Sequence, residues 1–72
     1  MGVDPERLDN TLKLQRARRG LTQEQLADLA GVTRKTVNTI ERGRFVPSTI
    51  LALKLAKVLD VPVEELFSLA KH

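Results

Sequence analysis

Polar side chains that can recognise the edges of nucleic-acid bases cluster between residues 33 and 39. They are Thr33, Arg34, Lys35, Asn38 and Thr39. Arginine and lysine can donate to guanine O6 and N7 or to a nearby phosphate, and a carboxamide matches the donor and acceptor of adenine. Threonine can meet a base edge or a thymine methyl. If these side chains shared one exposed face of a helix, they could read bases in the major groove of double-stranded DNA, with Asn38 acting on adenine or through a water molecule.

The distribution of charge along the chain points to a polyanionic partner. The net charge is only +3, but residues 13–44 contain eight cations and three anions, a local excess of +5. The cations are Lys13, Arg16, Arg18, Arg19, Arg34, Lys35, Arg42 and Arg44. Nucleic acid and an anionic lipid surface would both suit such a segment, and the alternative is the solvated face of an ordinary basic protein. The geometry of the predicted elements has to distinguish these interpretations.

Composition disfavours several function classes. The chain has no cysteine, and its single histidine is the last residue, His72, so neither thiolate metal sites nor histidine-based catalysis is expected. The longest apolar run, residues 50–53, is far shorter than the roughly 20 residues of a membrane span. We therefore expect a soluble cytoplasmic protein that is not an enzyme, has no metal or cofactor and makes no membrane contact. No small-molecule effector is indicated.

Start and stop signals predict five helices in a single all-α domain over residues 1–72. The predicted bounds are residues 5–19, 23–30, 34–42, 49–59 and 62–70. The N-cap candidates are Asp4, Thr22, Thr33 and Ser48, with a hydrophobic staple of Val3 and Leu8 around the first. Thr22 and Gln25 have the spacing of a capping box, so the start of the second helix is the sharpest of these signals.

The connection between the second and third helices is a three-residue turn, Gly31-Val32-Thr33. Two short helices joined in this way are typical of a helix-turn-helix, with an ordinary helical hairpin as the alternative. Ala27 provides the small side chain that a close crossing needs, and Leu26, Ala30, Val37 and Ile40 face the shared core. Helical spacing then places Arg34, Lys35, Asn38, Thr39 and Arg42 on the outward face of the third helix.

A longer stretch carries a family pattern. It runs Gly20-Leu21-Thr22-Gln23-Glu24-Gln25-Leu26-Ala27-Asp28-Leu29-Ala30-Gly31-Val32-Thr33 and continues through Thr36-Val37, Ile40-Glu41-Arg42-Gly43-Arg44, Pro47-Ser48 and Val61-Pro62-Val63-Glu64-Glu65-Leu66-Phe67. It resembles the phage-repressor and Cro-like helix-turn-helix regulators, often called the xenobiotic-response-element family. The resemblance implies a small stand-alone, five-helix lambda-repressor-like domain that binds DNA as a homodimer on a near-palindromic operator, associated with the nucleoid when bound.

Contacts with the phosphate backbone of DNA are expected on either side of the third helix. Gln23 occupies the first turn of the second helix, where free N–H groups suit a phosphate, and the resemblance implies that its side-chain amide binds the same phosphate. Thr22, Arg42 and Arg44 complete the predicted phosphate-binding set. The resemblance also implies a shielded ion pair between Arg16 and Glu41, which would make Glu41 structural although it lies in the reading helix.

The fourth and fifth helices contain more apolar residues than a small bundle needs. We predict that Val63, Leu66 and Phe67 form a dimer surface, the alternative being that they close the core. The function expected from these features is a transcription regulator, most simply a repressor. An antitoxin-like module that binds a partner enzyme and its own operator is the alternative.

Two positions depart from the family pattern. Asp60 stands where glycine is common after the fourth helix, so the turn needs either a mildly strained aspartate or another cap. Gln15 occupies a position where apolar residues are common, which weakens the predicted packing of the first helix.

Overall fold

A computed structural model describes residues 7–70 of the chain. Five helices and a small antiparallel sheet follow one another in that range. The elements are β1 (Leu8–Asn10), α1 (Leu12–Arg18), α2 (Gln23–Ala30), α3 (Arg34–Glu41), α4 (Thr49–Leu59), α5 (Val63–Leu66) and β2 (Phe67–Leu69). The predicted five-helix architecture is confirmed, with the two-stranded sheet as an addition.

Local capping chemistry sets the starts of the three central helices, as predicted. Thr22 Oγ1 accepts from the Gln25 N–H at 3.0 Å, and Gln25 Oε1 accepts from the Thr22 N–H at 2.8 Å, which completes the capping box of α2. Thr33 caps α3 and Ser48 caps α4, each accepting a backbone N–H three residues further along the chain.

The predicted start of the first helix is wrong. Residues 8–10 form β1, and α1 begins at Leu12, whose N–H donates to Asn10 Oδ1 at 3.0 Å. The Asp4 cap and its Val3 staple partner lie outside the described residues. Leu8 instead pairs with Leu69 across the sheet, so the chain enters the domain as a strand.

The predicted length of the fifth helix is also wrong. α5 ends at Leu66, and residues 67–69 turn extended to form β2, with Asn10 opposite Phe67. The Thr11 N–H donates to the Leu66 carbonyl at 2.9 Å, which joins the beginning of α1 to the end of α5. The two ends of the described chain are therefore tied together by backbone hydrogen bonds.

The hydrophobic core lies where the helices converge. Its buried members are Leu12, Leu26, Ala27, Ala30, Val37, Ile40, Leu55, Ala56, Leu59 and Leu66. This confirms the inward positions predicted for α2 and α3. Leu66 is completely buried, with 0% exposure, so its assignment to a dimer surface is wrong: it closes the core. Val63 and Phe67 are partly buried and pack against the same core.

The turn between α2 and α3 has the geometry that its sequence predicts. Gly31 adopts a left-handed conformation with φ of 73°, which glycine reaches without a Cβ penalty. The Val32 N–H then donates to the Ala27 carbonyl at 2.9 Å. This closure ends α2 and starts α3 within three residues, so α3 packs against α2 with its Arg34-bearing face outward.

The structure accommodates both departures from the family pattern, Asp60 and Gln15. Asp60 adopts φ of 55° at the end of α4, the mildly strained conformation expected, which aspartate tolerates better than most side chains. Gln15 is buried in α1, and its side-chain amide lies 3.5 Å from Thr11 Oγ1. None of the helices between residues 7 and 70 has the length and apolar character needed to cross a bilayer.

Candidate nucleic-acid interface

The outward face of α3 begins with two unengaged cations. Arg34 and Lys35 are exposed, and within residues 7–70 neither side chain has a hydrogen-bond or ion-pair partner. The opposite face is anchored because Val37 and Ile40 are buried. Both cations therefore stand free at the N-terminal end of a helix whose position is set by the core, where long side chains can reach into a groove.

The hydroxyl groups of Thr33, the N-cap of α3, and of Thr39 within α3 are largely engaged in local hydrogen bonds. Thr33 Oγ1 accepts from the Thr36 N–H at 3.2 Å, and the two threonine hydroxyls lie 3.1 Å apart. Thr39 Oγ1 lies 2.9 Å from both the Lys35 and Thr36 carbonyls, to which it donates. The groups that remain for a base are the methyls and the spare hydroxyl lone pairs, which favours apolar contact with thymine.

Two more cations flank the end of α3 on different sides. Gly43 ends the helix, and the Arg44 N–H donates back to the Thr39 carbonyl at 2.9 Å. The side chain of Arg44 lines a surface depression together with Lys35 and Thr39. Arg42 instead borders a groove between the end of α3 and β1. The structure thus brings Arg44 beside Lys35 and Thr39, whereas Arg42 lies one turn beyond Asn38, with its N–H donating to the Asn38 carbonyl at 3.1 Å.

Arg16 and Glu41 form a two-point ion pair between α1 and α3. Arg16 Nε lies 2.6 Å from Glu41 Oε2, and Arg16 Nη2 lies 3.2 Å from Glu41 Oε1. The exposed fractions of the two side chains are 15% and 4%, respectively. Arg16 Nη1 also donates to the Leu21 carbonyl at 2.9 Å. One guanidinium therefore holds α1, the segment before α2, and α3 together.

The ion pair also keeps the Arg16 guanidinium charged. The hydrogen bond to Glu41 raises the pKa of Arg16 above its ordinary value; burial opposes this shift, and the negative charge of Glu41 adds to it. Because the pKa is raised, the contribution of protonated Arg16 to the stability of the folded state is complete at any pH below the ordinary pKa of arginine. It is lost only as the pH rises through the raised value. The arginine side of the pair is therefore insensitive to pH near neutrality.

The structure directs the Gln23 side-chain amide, which the family resemblance implies as a phosphate ligand, toward two side chains of α3. Gln23 Nε2 donates to Glu41 Oε1 at 3.1 Å and to Asn38 Oδ1 at 3.2 Å, so both of its hydrogens are used within the protein. Among the described residues, the backbone N–H groups of Gln23 and Glu24 have no acceptor, because the Thr22 side chain caps the N–H of Gln25 instead. These two N–H groups, rather than the Gln23 amide, are the available anion donors.

Residues outside the predicted set also position α3. Asn10 Nδ2 donates to the Ile40 carbonyl at 2.9 Å, which attaches β1 to the last turn of α3. Thr11 Oγ1 donates to the Glu65 carbonyl at 2.7 Å, which links the start of α1 to α5. Asn10 followed by Thr11 is itself a helix-start signal, and it could have indicated that α1 begins there.

Comparison with known proteins assigns the family. Residues 12–66, more than half of the chain, match the family model HTH_3, described as helix-turn-helix. The chain belongs to this helix-turn-helix family. The helix-turn-helix family consists of DNA-binding transcriptional regulators and not of enzymes, so the predicted family, the absence of an enzymatic role and the DNA-binding class are confirmed.

Relatives of this helix-turn-helix chain occur in bacteria and archaea. It is 47% identical over 65 residues to the uncharacterized HTH-type transcriptional regulator YgzD of Bacillus subtilis, covering 90% of this chain and 98% of the relative. It is 47% identical over 60 residues to the uncharacterized regulator MJ0272 of Methanocaldococcus jannaschii, covering 83% and 91%. The crystal structure of the restriction-modification controller protein C.AhdI from Aeromonas hydrophila superposes with a TM-score of 0.71 at 42% identity, covering 75% and 82%.

Removing the carboxylate of the ion pair should destabilise the helix-turn-helix domain. In Glu41→Ala, Arg16 would remain largely buried without a counter-charge, so we expect the free energy of unfolding to fall by about 3 kcal/mol. Urea denaturation followed by circular dichroism measures this loss. The matched control is Glu64→Ala, which removes an exposed carboxylate and should change the free energy by less than about 0.5 kcal/mol. Equal stabilities of the two variants would contradict a stabilising role for the pair.

Proposed function

We propose that this chain is a sequence-specific regulator that places α3 in the major groove of double-stranded DNA. The observation that supports this most directly is the separation of charge on α3. Arg34 and Lys35 are exposed without partners among the described residues, whereas Glu41, the helix's carboxylate, is 4% exposed and paired with Arg16. The groove-facing surface is therefore cationic even though the helix contains an acidic residue, as a polyanion requires.

Phosphate contacts on two sides would orient α3. At the start of α2, the N–H groups of Gln23 and Glu24 and the Thr22 hydroxyl are available to one phosphate. Arg42 and Arg44, just beyond the end of α3, are exposed and would supply the phosphate contacts on the other side. Such contacts supply orientation and much of the affinity without reading sequence. Base selection then falls to Arg34, Lys35 and Asn38, with the methyls of Thr33 and Thr39 beside them.

A homodimer on a near-palindromic operator is the second part of the proposal. Ile50 and Leu53, three residues apart on α4, are 68% and 53% exposed, and Leu69 on β2 is 63% exposed. Together with the partly buried Val63 and Phe67, they leave apolar surface that a second copy could cover. A twofold dimer would place two α3 helices one turn of DNA apart, about 34 Å. Occupation of a promoter by such a dimer would repress transcription in the cytoplasm.

Selection of bound fragments from random DNA tests the reading helix. The unmodified protein should select a consensus with two related half-sites. Arg34→Ala combined with Asn38→Ala should abolish the preference for that consensus over random DNA, since each lost base contact is worth about 1–3 kcal/mol. Competition binding at fixed salt concentration measures the preference. An unaltered preference in the double variant would show that α3 is not the reading helix.

A phosphate contact should instead affect all DNA sequences equally. Arg44→Ala is expected to weaken binding to consensus and random DNA by the same factor, and to reduce the slope of log affinity against log salt by about 0.9. Lys57→Ala is the matched control, because Lys57 is an exposed cation on α4 beside Asp28 and away from α3. A loss of base preference in Arg44→Ala, or the same salt slope as the control, would remove Arg44 from the phosphate-binding set.

The oligomeric state is checked by light scattering across the micromolar range, with and without consensus DNA. Ile50→Asp and Leu53→Asp should shift the mass toward the monomer, because a carboxylate would be desolvated at the interface. Monomers under all conditions, on DNA included, would contradict the homodimer. Co-purification of an enzyme in fixed ratio, lost in the same variants, would favour the antitoxin-like alternative.

A further inference from the structure

Four polar side chains form a continuous hydrogen-bond chain from α1 to the reading face of α3. Arg16 donates to Glu41, and Gln23 Nε2 donates to Glu41 Oε1 at 3.1 Å and to Asn38 Oδ1 at 3.2 Å. Glu41, in the middle, is 4% exposed. This arrangement, hereafter the Arg16–Asn38 chain, connects a largely buried ion pair to an amide on the face proposed to read DNA.

The direction of every bond in the Arg16–Asn38 chain follows from its charged end. Arginine only donates and an ionised carboxylate only accepts, so Glu41 requires its second neighbour to donate as well. Gln23 must therefore turn its NH₂ group, and not its carbonyl, toward Glu41. The other hydrogen of the same nitrogen points to Asn38, whose side-chain carbonyl oxygen must accept it. Neither amide is free to flip without placing two acceptors or two donors face to face.

The consequence for Asn38 is a defined outward group. With Oδ1 directed at Gln23, its NH₂ group is the part left without a partner among the described residues, and no buried side-chain nitrogen or oxygen in that range lacks a hydrogen bond. The Nδ2 atom is thus at least partly accessible to solvent, although Asn38 as a whole is half-buried. An asparagine is ordinarily an ambiguous reader because it can offer either a donor or an acceptor. In this protein, the hydrogen bond from Gln23 fixes the orientation of the Asn38 amide.

We propose that the Arg16–Asn38 chain sets the base specificity of Asn38 by holding it as a hydrogen-bond donor. This inference rests on the proposed function, in which α3 occupies the major groove. A donor can reach the N7 atoms of purines, guanine O6 or thymine O4, but it meets another donor at cytosine N4. Asn38 therefore discriminates against cytosine on the contacted strand and is not restricted to adenine. Gln23, Glu41 and Arg16 act as positioning residues for that contact.

The orientation can be tested without DNA. In the ¹⁵N-labelled protein, the side-chain NH₂ hydrogens of Gln23 should exchange with water about fivefold more slowly than those of Asn38, because each of the former is in a hydrogen bond of about 1 kcal/mol. Gln23→Met, which keeps the side-chain length but has no donor, should leave the Asn38 hydrogens as fast as before. Slower exchange at Asn38 than at Gln23 would mean that the amides point the other way, and would overturn the proposal.

The specificity is tested by competition binding at the base pair whose preference Asn38→Ala removes. Gln23→Met should reduce discrimination against cytosine at that position by about fivefold, because it removes the one neutral hydrogen bond that orients Asn38. Gln23→Lys, which still donates to both Glu41 and Asn38, should retain it. Asn38→Asp, which accepts from Gln23 but presents only acceptors outward, should reverse the preference toward cytosine, whatever its effect on total affinity.

The outcomes separate this inference from the proposed function. If the unmodified protein selects no consensus, the proposed function fails, while the exchange experiment still tests the orientation of the amides. If a consensus is selected but Gln23→Met keeps full discrimination at the Asn38 position, or Asn38→Asp keeps the original preference, the positioning role is overturned and DNA recognition by α3 stands.

Discussion

The ion pair between Arg16 and Glu41 is the interaction on which the arrangement of the other elements depends. A carboxylate with 4% exposure is costly to bury unless a charge and hydrogen bonds compensate it, and Arg16 supplies both through two nitrogens. The same guanidinium binds the carbonyl of Leu21 just before α2. The positions of α1, the segment before α2, and α3 are therefore coupled through one side chain, and a tilt of α3 would disrupt both Arg16–Glu41 hydrogen bonds.

That pairing also resolves an electrostatic conflict. A helix that binds a polyanion gains from cations and loses from a carboxylate, yet Glu41 lies in α3 with Arg34 and Lys35. Because the carboxylate is turned inward and neutralised by Arg16, its charge is directed away from the exposed face. The acidic residue can then act as a structural anchor at little electrostatic cost to binding. The net charge of +3 understates how cationic this face is.

Features with local causes could be predicted from the sequence, and features with distant causes could not. Thr22, Thr33 and Ser48 cap helices by bonds to N–H groups three residues away, so their spacing is visible in the chain. β1 and β2 pair residues about sixty positions apart in strands of three residues, which are too short to show alternation. The start of α1 is not where Asp4 predicts it, because the helix-start signal at Asn10 and Thr11 is weaker in the sequence but is supported by contacts to α3 and α5.

Residue types indicate which side chains belong to the candidate site, but not which contacts those side chains make. The apolar side chain of Leu66 is compatible with either a core or an interface, and only packing shows that it is buried. In the same way, Gln23 and Asn38 are each able to donate or accept, and fifteen residues separate them. Whether each amide donates or accepts is set by Glu41, which must accept, and the ionised state of Glu41 is stabilised by Arg16. In the proposed complex with DNA, the groups that α3 presents are therefore a property of three helices, and substitutions on α1 or α2 should alter base recognition although those residues contact no base.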